Sequence, residues 1–179
     1  MKLFFSLCYV VLLPSCVMID SKVSDVQPAA TGMASFDGVY RNLASYRSSG
    51  GGLHTEEHLQ EYFGCKAFPE VAEVIQLRGV SDRLEAEIRF RNGRTEKRTL
   101  RLNQACTFEN GYLVFATKVT GSGGNDSPSL GYLGSSGSRW TIDREGNLVV
   151  ISNEAALGTV TIIPFAMATR WMAVFPKIR

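Results

Sequence analysis

His54 and His58 are the only two histidines in the chain, four residues apart in His54-Thr55-Glu56-Glu57-His58. Residues i and i+4 share one face of a helix. Inside a helix, the pair would therefore present two imidazoles side by side, an arrangement that can hold a metal ion. The neighbouring residues argue against that geometry. Thr55 suits a helix N-cap, and Glu56 and Glu57 suit a first turn, where the helix dipole favours negative charge. Leu59, Tyr62 and Phe63 then form an apolar stripe, and Gly64 can end the helix in the left-handed conformation. With Thr55 as the cap, His54 falls outside the helix, and the segment reads as a solvated helix start.

Other chemistry finds less support. Gly50-Gly51-Gly52 and the Gly/Ser-rich stretch from Gly121 to Ser138 lack the lysine and the strand-to-helix context of a phosphate-binding loop. They read as inter-strand loops, the longer one a candidate lid over a barrel mouth, in which Leu130, Tyr132 and Leu133 could form an edge strand or an apolar tip. There is no G-x-S-x-G, and the paired acids Glu56/Glu57 and Asp143/Glu145 fit a helix start and a turn. No catalytic residue and no cofactor is expected. A net charge of +2 gives no strong pull toward nucleic acid, and 45% hydrophobic residues suffice for one packed domain.

The elements that must position any site are mostly strands. Leu84, Ala86, Ile88 and Phe90 alternate with Glu85, Glu87, Arg89 and Arg91, and Asn92-Gly93 follows, the strongest short hairpin signal. A two-residue turn there sets Arg89 opposite Glu96 and Glu87 opposite Arg98. It also leaves Leu100 and Leu102 outward, unless a bulge near Arg98 to Leu100 turns them in. Further turns at Asn110-Gly111 and Asp143-Arg144-Glu145-Gly146, with strand signals at 38–42, 71–77, 158–164 and 169–175, give about eight to ten strands. The expectation is a mainly β fold: one antiparallel up-and-down β-barrel with one short helix, or alternatively a β-sandwich. Trp140, Trp171 and Phe175 are expected to fill it, the last two sharing a strand face with Ala173.

Lys2, the apolar run Leu3 to Leu13, and Leu13-Pro14-Ser15-Cys16 resemble a bacterial lipoprotein signal peptide with its lipobox. The resemblance implies cleavage before Cys16, lipid on that cysteine and anchoring to a membrane. An ordinary secretory leader cut slightly later is the alternative. On the lipoprotein reading, residues 1–15 are the leader, 16–35 a polar flexible tether and 36–179 the domain. Val17, rather than aspartate, after the cysteine implies the outer membrane, facing the periplasm. Cys65 and Cys106 then remain as an even pair in an oxidising compartment. A bridge would close a loop of roughly 40 residues, worth about 4 kcal/mol in the chain-entropy model; two separate buried thiols are the alternative.

Gly38-Val39-Tyr40 is similar to the G-x-W of lipocalins and related calycin barrels, with Tyr40 in place of tryptophan. That resemblance implies that Arg170 on the last strand packs over Tyr40. An interior ligand site would draw on Tyr40, Trp140, Arg170, Trp171 and Phe175. The spelling of His54 to His58 also matches the H-x-x-E-H of inverted zinc peptidases, whose helical domains differ from this strand-rich chain. Three functional readings follow. The first is a non-catalytic, membrane-anchored domain that binds a small apolar or amphipathic ligand. The second is an envelope protein-interaction or assembly accessory. A metal-dependent hydrolase using His54, Glu57 and His58 ranks last.

Overall fold

Alternation of apolar and polar residues produces antiparallel strands along most of the computed structural model, which describes residues 16–19, 26–47, 56–66, 69–122, 130–160 and 163–178. The strands in chain order are β1 (Cys16–Ile19), β2 (Gly38–Arg41), β3 (Tyr46–Arg47), β4 (Ala72–Val80), β5 (Arg83–Phe90) and β6 (Thr95–Arg101). They continue as β7 (Cys106–Glu109), β8 (Tyr112–Phe115), β9 (Lys118–Ser122), β10 (Leu130–Ile142), β11 (Leu148–Val160) and β12 (Ile163–Phe175). One α-helix, α1 (Leu59–Tyr62), stands between β3 and β4.

The strands form two open sheets. The larger has the order β1-β12-β11-β10-β8-β7, with β3 also on β12 and β9 also on β10; the smaller runs β2-β4-β5-β6. No ladder between the named strands closes the two sheets into a barrel among the described residues, but single backbone bridges link them at both edges: Tyr40 pairs with Lys177, just past β12, and Leu102, just past β6, pairs with Cys106 of β7. The sheets share one core. Trp140, Val150, Ala173 and Phe175 from the larger sheet meet Tyr40, Ile75, Leu77, Leu84 and Ile88 from the smaller, with Leu59 and Phe63 around α1. On the far face of the larger sheet, Val149, Ile151 and Met172 pack with Val26, Tyr46 and Tyr112.

The first hairpin corrects the expected register. Phe90 N–H donates to Arg94 O and Gly93 N–H to Phe90 O, so three residues form the loop, with Gly93 at φ 84°. This is the turn-plus-bulge alternative to the two-residue connection. Pairing slips by one: Glu87 faces Lys97, Ile88 faces Glu96 and Leu84 faces Leu100. Leu100 therefore packs on the core without a bulge between Arg98 and Leu100; the irregularity in this sheet lies on β4, between Ala72 and Val74. The slip turns Glu96 toward the core side, where Arg94 (3.1 Å) and Arg98 (2.6 Å) pair with it. Inward charges on an edge strand discourage edge-to-edge association. The Asn110-Gly111 turn does have two residues, both at positive φ, and sets Glu109 opposite Tyr112.

Three further expectations are corrected. The Gly/Ser-rich stretch is not a loop over residues 130–138: it is the first part of β10, held by backbone pairing to β9 and β11 on its two sides. The segment read as a tether is docked from Val26 onward. Ala29 N–H donates to Ile142 O (2.8 Å), Val26 O accepts from the Tyr112 hydroxyl (3.1 Å), and Ala30 and Met33 are buried in the core. β1 is likewise paired, parallel to β12. Finally, Cys65 and Cys106 are buried free thiols, not a bridge. The Cys65 thiol donates to Glu96 (3.4 Å) and the Cys106 thiol to Arg101 O (3.8 Å), and burial raises the pKa of both.

Candidate functional site

α1 is a single turn whose start is set by a distant strand. His58, not Thr55, is the N-cap residue. Its backbone is extended (φ −113°, ψ 124°), and its side chain makes no cap hydrogen bond. The orphan N–H groups of a helix start need partners, and Asn42, just beyond β2, supplies them: its carbonyl accepts from Leu59 N–H (2.8 Å) and its Oδ1 from Gln60 N–H (2.8 Å). Gln60 is fully buried and uses all of its side-chain capacity. Oε1 accepts from Asn42 Nδ2 (2.9 Å) and Ala72 N–H (2.5 Å), while Nε2 donates to Lys66 O (2.8 Å) and Glu70 O (3.0 Å). This clamp ties β2, α1 and the start of β4 together.

His54 and Thr55 lie outside the described residues. His58 is buried, with Nδ1 3.4 Å from Asn42 Nδ2 and Nε2 3.6 Å from Glu56. Because Glu57 and His58 precede the helix, the one-face geometry of a helical metal pair does not arise. No cluster of three His, Cys, Asp or Glu side chains gathers among the described residues.

Against the core-side face of the larger sheet, α1 borders a cleft of about 300 Å³. That volume is at the small end of the range for ligand sites. Tyr62, Phe115, Trp140 and Trp171 line it, and Glu57, Glu61, Lys118 and Glu154 supply its charges. Trp140 stands edge-on to Tyr62 (5.6 Å) and Phe63 (5.5 Å) and is tilted against Phe115 (4.6 Å). It is 1% exposed, and its indole N–H has no hydrogen-bond partner among the described residues. A buried donor left unpaired costs about 1–3 kcal/mol. Glu57 accepts from the Tyr62 hydroxyl (2.6 Å) and lies 3.6 Å from Arg47, whose guanidinium covers the Trp171 ring at 4.8 Å.

Burial raises the Glu57 pKa, partly offset by the Tyr62 hydrogen bond and by Arg47. Burial, followed by the Glu57 charge, raises that of Tyr62. For Glu57 the native state holds its proton to higher pH than the unfolded state. Stability therefore falls as pH rises between the unfolded and folded pKa values, and the loss is complete above the folded value. Glu57→Gln keeps an acceptor for Tyr62 and removes the titration. It is expected to flatten this acid-side slope in urea unfolding followed across pH.

The five residues of the expected interior site separate. Tyr40 and Phe175 are fully buried core, and the Tyr40 hydroxyl donates to Phe36 O (3.1 Å). Trp140 and Trp171 line the cleft. Arg170 does not cover Tyr40. Strand alternation puts it on the opposite face of β12 from Trp171, Ala173 and Phe175, in register with Asn153. No family model, no curated protein and no solved structure matches the chain at a significant level.

Proposed function

We propose that this chain is a non-catalytic lipoprotein of the bacterial cell envelope, anchored through lipid on Cys16, whose domain binds a small amphipathic ligand in the cleft beside α1. The observation that carries the binding assignment is the unpartnered indole N–H of Trp140, a buried donor in the wall of a cleft rimmed by carboxylates. A ligand fitting there brings a hydrogen-bond acceptor to Trp140 and a cationic or hydroxyl group to Glu61 and Glu154, with its apolar part against Phe115 and Trp171. The Leu13-Pro14-Ser15-Cys16 sequence supports the anchor, and Val17 supports outer-membrane delivery, with the domain facing the periplasm.

Native mass spectrometry of the Cys16→Ser chain, exported to the periplasm, tests the binding assignment. The expected spectrum carries a non-covalent adduct that disappears on denaturation. Trp140→Phe, which keeps the ring packing but not the donor, and Glu154→Gln should each reduce its occupancy about tenfold, the effect of one charge-assisted or buried hydrogen bond. A bare chain, or an adduct that both variants retain in full, would overturn the assignment to this cleft.

A further inference from the structure

β10, β11 and β12 have 13 residues each, and only their inner parts reach the core through Trp140, Val150 and Ala173. The outer halves, with β9, extend past it as an arm. Its sequence is almost free of charge: none from Ala155 to Thr169, and only Asp126 from Val119 to Ser138. Lys118, Arg139, Glu154 and Arg170 stand at the border between arm and core.

Register places three of the arm's four exposed large apolar residues on one face, and the fourth, Met167, on the other. Leu133 lies directly opposite Leu157, and Ser135, two residues on from Leu133, lies opposite Val119. These three are 58%, 60% and 68% exposed. The same face carries Arg139 and Arg170 at the border, each with a buried Nε that has no partner among the described residues. Arg139 also lies over the Tyr112 ring at 5.1 Å. Backbone pairing sets Cys16 level with Met167, on the outer half of β12.

We infer that this face of the arm is a membrane-contact surface. Val119, Leu133 and Leu157 enter the interfacial region of the bilayer, and Arg139 and Arg170 meet lipid phosphates. The inference rests on the acylation of Cys16 proposed above, because the Cys16–Met167 register brings the anchor to the arm rather than to the opposite end of the domain. Apolar outer residues with cationic residues one step behind them match the order of acyl chains and headgroups. The arm lies on the bilayer rather than spanning it, because an open sheet leaves edge N–H and C=O groups that the hydrocarbon region cannot satisfy.

A polarity-sensitive fluorophore on Leu157→Cys, in the full mature chain reconstituted into vesicles of phosphatidylethanolamine with a minority of phosphatidylglycerol, tests this. Its emission should shift to the blue and be quenched by a lipid-borne quencher, while the same probe on Lys97→Cys in β6 stays unchanged. In the Cys16→Ser background, Leu157→Asp should weaken binding to the same vesicles about tenfold or more, as loss of one buried leucine implies. An acylated chain whose residue-157 probe stays in water overturns the arm and leaves the anchor standing. An N-terminal peptide without acyl mass overturns both. A blue shift that needs only a higher protein concentration, with no vesicles, identifies self-association and also overturns the membrane contact.

Discussion

Gln60→Ala should destabilise the domain by about 3–5 kcal/mol in urea unfolding, more than any other single polar substitution around α1. The side chain makes four hydrogen bonds inside the protein, and truncation strands Ala72 N–H, Lys66 O, Glu70 O and the Asn42 amide at once. Each stranded buried group costs about 1–3 kcal/mol, reduced where water enters the vacated space. Gln60→Glu is the informative companion. It keeps the acceptor for Asn42 and Ala72 but replaces the donor to two carbonyls with an oxygen, so it should be nearly as damaging despite its size. A change under 1 kcal/mol in both variants would mean that Gln60 does not hold the 66–72 connection to α1.

Gly79→Ala should cost about 3 kcal/mol and free the segment around Met33. A Cβ at position 79 would sit 1.8 Å from Met33 O and 2.2 Å from Met33 C, both backbone atoms that no rotamer change can move aside. Overpacking a core usually costs about 1–3 kcal/mol, and a clash with backbone belongs at the top of that range. The Gly79 N–H also donates to Asp37 (2.5 Å), so displacement of the segment strains a second contact. Limited proteolysis should then cut near residues 31–36, where the parent is protected because Met33 and Phe36 are buried. Gly32→Ala is the control. Its backbone is extended and nothing lies within 4 Å of the added carbon, so stability should change by less than about 0.5 kcal/mol. A Gly79→Ala chain as stable as the parent would show that residues 26–36 are a tether after all.

The strands were largely legible, because alternation is a direct consequence of burying one face of a sheet. The Asn110-Gly111 turn and the inward Trp140, Ala173 and Phe175 follow from local sequence alone. The hairpin at Asn92-Gly93 shows where local signals mislead. Asn-Gly favours a two-residue turn, but that register turns Leu100 outward, and burial of Leu100 opposite Leu84 prevails over turn preference. The opposite-charge pairs that the shorter turn would form do not decide the register, since exposed pairs contribute only tenths of a kcal/mol to about 1.

The site was less legible. Asn42 and Gln60 have no periodic signature, and their roles depend on a contact between residues 18 apart in sequence. Glu154 joins Glu61 at the cleft only because the fold brings β11 and α1, distant in sequence, to its walls. The glycines and serines of β10 read as a loop because neither has strand propensity; pairing on both sides overrides that preference. The resemblance of the first sixteen residues to a leader and lipobox, by contrast, needs no fold to be read, since a message of that kind would be addressed to export and lipidation machinery.

The most direct test of the anchored reading is the mass of the mature N-terminal peptide from cells expressing the full chain, alongside fractionation with Cys16→Ser. The expected peptide begins at Cys16 and is heavier by a diacylglyceryl group and a further acyl chain. The parent should remain with membranes until detergent is added, and the Cys16→Ser form should not carry the acyl mass. A mature chain that begins after Cys16, or begins there with an unmodified thiol, would contradict it.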